Sequence, residues 1–120
     1  MSHTRQFYIN GQWVAPKGDK TLDVINPATE EVVATIALGN KEDVDLAVDA
    51  AREAFESYSQ ISREERQALL GRVIEVFKKR MGDVAVAISQ EMGAPAKLSQ
   101  VAQAPSGLGH FATALEALKH

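Results

Sequence analysis

The side chains able to do chemistry are few, and their spacing bounds what they can do. The chain has no cysteine, which removes disulfides, thiolate zinc sites and a sulfur nucleophile from it. Its three histidines are His3, His110 and His120. The last two, placed on one helix, stand about 15 Å apart along the axis, too far to share an ion. The paired acids Glu30-Glu31 and Glu64-Glu65 are adjacent in sequence and read as solvated surface. Gly107-Leu108-Gly109 is glycine-rich, but no strand leads into it and no lysine follows, so it is not a phosphate loop. Ala104, Gly107 and Ala112 read instead as small residues that let a helix approach a neighbour closely. No serine sits in a strand-to-helix elbow. Met81, Met92, Tyr8 and Trp13 are adequately explained by packing. These residues form no catalytic constellation.

The elements that would carry these residues change character near position 40. Phe7-Tyr8-Ile9 and Trp13-Val14 flank Asn10-Gly11, a strong signal for a two-residue hairpin. A polar connection, residues 15–20, leads to a second pair, Leu22 to Ile25 and Val32 to Ile36. Asn26-Pro27-Ala28-Thr29 suits the turn between them. From Asn40 the period is helical: Val44, Ala47, Val48, Ala51 and Phe55 form one stripe. Asn40 can cap that helix, with Glu42 and Asp43 at its positive end. Ser62 with Glu65 forms a capping box for a second helix, which presents Leu69, Leu70, Val73, Val76 and Phe77 and closes on Lys78-Lys79-Arg80. A third helix is expected from about Asp83 to Met92, stopped by Gly93 with Pro95 beyond. In the last segment Pro105 predicts a break and the first residue of a final helix. That helix is still amphipathic at His120, so the architecture is expected to continue. The fold class is α+β: two β-hairpins over residues 1–38, then four to five amphipathic helices over residues 40–120.

Composition agrees with a packed protein: 45% of the 120 residues are hydrophobic and 24% charged. A formal net charge of −3 gives no support for a nucleic-acid or anionic-membrane partner. No apolar run is long enough to span a bilayer, and no secretory leader is visible, so a cytoplasmic location is expected.

Five stretches, taken in order, resemble the aldehyde dehydrogenase family. They are Phe7-Tyr8-Ile9-Asn10-Gly11-Gln12-Trp13-Val14; Val24-Ile25-Asn26-Pro27-Ala28-Thr29 with Glu31-Val32; and Asn40-Lys41-Glu42-Asp43-Val44-Asp45 running on to Phe55. Then come Ser62-Arg63-Glu64-Glu65-Arg66 with Leu69-Leu70, and Glu91-Met92-Gly93-Ala94-Pro95. The resemblance covers essentially the whole chain but only the N-terminal portion of the family's. It implies a parent enzyme that oxidises an aldehyde to a carboxylic acid with NAD or NADP, through a cysteine thiolate and a glutamate-activated water. It also implies that this chain is part of the α/β aldehyde dehydrogenase fold. Its helices would pack on the dinucleotide-binding domain of the remaining chain, in an enzyme expected to be a homo-oligomer. No catalytic and no cofactor-binding residue of the family falls here. One minor site carries over: a structural monovalent cation held by oxygens of Val24, Ile25 and Glu91, hard donors of the kind an alkali ion prefers. For Glu91 the competing reading is a cap or salt bridge at a helix end. Ala94 departs from the lysine usual in the family, a surface charge lost without expected effect on catalysis. The alternative function is a non-catalytic helical interaction module derived from the same family.

Overall fold

The computed structural model describes residues 3–120. The chain forms two compact units. One holds the described residues through Ile25 together with Glu30–Gln60, the other Asn26–Thr29 together with Ile61–His120.

The first unit carries two antiparallel hairpins. Strands β1 (Phe7–Ile9) and β2 (Gln12–Val14) pair in the register Phe7↔Val14, Tyr8↔Trp13, Ile9↔Gln12. Asn10 and Gly11 both have positive φ, 51° and 74°, as a turn matched to strand twist requires. Strands β3 (Thr21–Ile25) and β4 (Val32–Ala37) form a second two-stranded sheet whose ladder slips between Val24 and Ile25. Ala37 donates its N–H to the Thr4 carbonyl at 3.1 Å, and Leu38 to the Lys20 carbonyl at 2.8 Å.

Helix α1 (Lys41–Tyr58) starts at a complete capping box. Asn40 Oδ1 accepts from the Asp43 N–H at 3.1 Å, and Asp43 Oδ2 accepts from the Asn40 N–H at 3.0 Å. Asp43 Oδ1 also takes the Lys17 N–H at 2.9 Å, so one carboxylate joins the 15–20 connection to the helix. Asp43 is accordingly buried, 5% exposed. The apolar stripe of α1 behaves in the opposite way. Val44, Val48 and Phe55 are 58%, 43% and 67% exposed, so the stripe faces outward from its own unit.

The second unit is helical. Helix α2 (Arg63–Met92) runs unbroken for 30 residues, which corrects the expectation of separate second and third helices. The sequence between Arg80 and Asp83 carries only one weak breaker, Gly82, whose cost against alanine is about 1 kcal/mol. Arg80 and Asp83 pair across it at 3.3 Å, and no residue there has a left-handed backbone. The helix ends at Gly93, φ 66°, as expected.

Beyond Pro95 a short helix α3 (Ala96–Leu98) passes through a π turn (Ser99–Gln103) into helix α4 (Ala104–Ala117). The expected break at Pro105 is therefore a widening of the helix, and among the described residues three helical runs replace the four to five helices expected. Proline has no N–H, and its ring would crowd the carbonyl four residues back. The π turn accommodates this: Ala104 donates to the Ser99 carbonyl, five residues back, and Pro105 falls in the first turn of α4. Helix α4 and the π turn pack on α2 through Ile74, Ala85 and Ala104. The Phe77 and Phe111 rings meet at 5.8 Å, and Gln67 Nε2 donates to the Leu118 carbonyl at 3.1 Å.

Candidate functional site

The residues expected to hold a cation sit on different elements. Val24 and Ile25 occupy the end of β3 where the ladder slips, Val24 half-buried and Ile25 exposed. Glu91 is exposed in the last turn of α2. The turn that follows Ile25 is well defined: Asn26 Oδ1 accepts the Ala28 N–H at 2.9 Å, the local bond that makes asparagine a turn former. That turn lies against the end of α2. A Cβ on Gly93 would stand 3.2 Å from the Ala28 nitrogen and 3.4 Å from Pro27 Cβ. Glycine is thus required at position 93 twice over, by its left-handed φ and by this approach.

Of the other chemistry-bearing side chains, His3 and His120 have partners. His3 stacks on Trp13 with ring centroids 4.2 Å apart and bonds Gln6 at 2.7 Å. His110 is exposed on α4, and His120 lies 3.9 Å from Glu116. Among the described residues no three His, Cys, Asp or Glu side chains converge to hold a metal ion. Gly107 and Gly109 lie inside α4, and Gly107 faces the Phe77 ring, so no phosphate cradle exists there.

Two carboxylates are held below their ordinary pKa. For Glu65 the cause is its bond from the Ser62 N–H at 2.7 Å, followed by the Ser62 hydroxyl; for Glu75 it is the hydrogen bond from Lys78 at 2.8 Å and that ion's charge. Glu65 was read as surface in the Glu64-Glu65 pair and as a cap in the Ser62 box, and the geometry bears out both: it is exposed and it caps α2. Both groups are at the helix surface, so their shifts describe a cap and an ion pair rather than a tuned active site.

Two features carried weaker sequence signals. Asn40 and Asp43 have the spacing of a capping box, but nothing showed that Lys17 would complete the burial of Asp43. The hydroxyls of Ser89 and Ser99 meet at 3.1 Å, and Ser99 donates to Gln103 Oε1 at 3.2 Å, with Ser99 fully buried. An open depression of about 740 Å3 is walled by Val73, Val76, Phe77, Val84 and Phe111 and edged by Arg72 and Arg80. Its exposed lining is mostly apolar, and Asp83, paired with Arg80, joins the charged rim.

Comparison with known proteins places this architecture. The family model described as "Aldehyde dehydrogenase family" matches residues 13–120. The chain belongs to the aldehyde dehydrogenase family. It is 51% identical over 120 residues to a 3-succinoylsemialdehyde-pyridine dehydrogenase from a Pseudomonas species, covering 99% of this chain and 25% of that protein. Its backbone matches the crystal structure of an aldehyde dehydrogenase from Bartonella henselae with a TM-score of 0.95 and 40% identity, covering 99% of this chain and 25% of the other. A cysteine-to-alanine mutant of aldehyde dehydrogenase C from Pseudomonas syringae, in complex with NAD+ and octanal, matches with a TM-score of 0.95 and 42% identity, covering 98% and 24%. The chain thus spans about a quarter of the length of these aldehyde dehydrogenases. Its two hairpins and helices are the N-terminal portion of their fold.

Proposed function

We propose that this chain is the supporting framework of an enzyme that oxidises an aldehyde to a carboxylic acid with NAD or NADP, and that the chain alone does not catalyse the reaction. The observation carrying this reading is a family match over residues 13–120 in a chain without a cysteine. A thiol mechanism needs a sulfur nucleophile, and the chain has no cysteine to supply it. On the family resemblance, the coenzyme's seat is assigned to other parts of the parent protein.

The same reading assigns the outward-facing stripe of α1 and the apolar depression beside α2 to packing against the rest of that enzyme. The parent is read as cytoplasmic and homo-oligomeric. Among the described residues no helix is long and apolar enough to cross a membrane. Val24, Ile25 and Glu91 are proposed, on the family resemblance and the hardness of their oxygens, as contributors to a structural monovalent cation site in the parent enzyme.

The test is direct. The purified 120-residue chain, given NAD+ or NADP+ with a panel of aliphatic and aromatic aldehydes, is expected to produce no reduced nicotinamide, while the parent protein produces it. Turnover by the chain itself overturns the proposal. In the parent, replacing Glu91 by glutamine is expected to weaken stabilisation by added potassium or sodium, read as a smaller rise in Tm. An unchanged rise removes Glu91 from the site.

A further inference from the structure

We infer that the α3–π–α4 run is a two-register element, held in its π-containing register by three residues acting together: Ser99, Pro105 and Gly107. A π turn holds one more residue per turn than an α-helix, so smoothing it out would rotate α4 by about 100° and slide it about 1.5 Å relative to α3. Each of the three residues opposes that change differently. Pro105 acts against the α register, because in that register its ring would meet the Val101 carbonyl. Ser99 acts in favour of the π register: it is fully buried, and its hydroxyl joins Ser89 on α2 to Gln103 at the far end of the π turn. Gly107 keys the docking, since a Cβ there would stand 2.9 Å from Phe77 Cζ. After a one-residue slip, Ser106 or Leu108 would bring a side chain to that contact.

The element that follows Pro95 is therefore set on α2 in one position by sequence choices lying outside the family motifs quoted above. The inference stands apart from the proposed activity, because its readout is the geometry of this chain alone. Proton NMR on the 120-residue chain tests it. A contact between the Phe77 ring and the Gly107 α-protons is expected in the wild type and in each of Ser99→Ala and Pro105→Ala. It is expected to be lost in the double variant, where a slowly exchanging amide appears at position 105. Retention of the contact in the double variant overturns the inference, because the register is then fixed elsewhere. Loss in either single variant also overturns it, because the register then hangs on that one residue rather than on the set. A double variant that unfolds overturns it as well, because the second register is then not a folded state. Gly107→Ala should lower Tm in the wild-type background, and an unchanged Tm would remove the key.

Discussion

Asp43 shows how one side chain can decide a local fold. Its carboxylate accepts from two backbone amides, Asn40 and Lys17, while its own amide is bonded by Asn40 Oδ1. Removing a buried acceptor strands those donors, at a typical cost of about 1–3 kcal/mol. Asp43→Ala is expected to destabilise the chain by that much in urea unfolding. Asp43→Asn, which keeps one oxygen, should lose less. Gly93 gives a second case. Alanine there meets both a left-handed φ and the Ala28 nitrogen at 3.2 Å, so Gly93→Ala should cost roughly 1–3 kcal/mol, measured in the same way. Glu65 makes the pH dependence explicit. Its folded pKa is lowered from 4.5 by the bond from the Ser62 amide. Its stabilising contribution is therefore fully present above that value and fades as pH falls through the lower folded pKa. Wild type and Glu65→Gln should differ in Tm at neutral pH and converge in acid; a difference independent of pH would show that the cap does not act through its charge.

At the scale of elements, the legible features were those set by local chemistry. Asn10-Gly11 fixed a turn, Asn40 and Ser62 fixed helix starts, and Gly93 fixed a stop, because each satisfies backbone groups within a few residues of itself. Where the outcome depended on packing, the sequence was ambiguous. Gly82 and the basic run before it resemble a helix end, yet nothing supplies the left-handed cap that would make one, and α2 continues. Pro105 marked a disturbance correctly, but the widened turn it sits beside buries Ser99 against Ser89, a contact with no local signature. Of the cation ligands proposed on resemblance, Val24 and Ile25 would act through backbone carbonyl oxygens, which have no signature in side-chain sequence. The continuity of α2 leads to an expectation of opposite sign to the others. Gly82 is helical, and a Cβ there would meet nothing within 4 Å. Gly82→Ala should therefore stabilise the chain by about 0.5–1 kcal/mol, seen as a rise in Tm. A loss would mean that the glycine serves a bend.

For the molecule as a whole, the decisive quantity is surface. The accessible area is 8762 Å2. The hydrophobic residues buried below a tenth are Ala37, Ile74, Ala85 and Ala104, three of them small, while Phe55, Val44 and Val76 stand more than half exposed. Patches of this kind mark surfaces that another surface covers. The chain by itself is thus expected to associate: its sedimentation coefficient should rise with concentration, and it should bind an apolar fluorescent dye. Because Val48 and Phe55 lie on the outward stripe of α1, the double change Val48→Lys and Phe55→Lys should leave stability within about 0.5 kcal/mol while reducing both association and dye binding. If the wild type instead sediments as a monomer at every concentration and leaves the dye dark, its apolar stripes are satisfied within the chain. The framework reading then gives way to that of an independent interaction module.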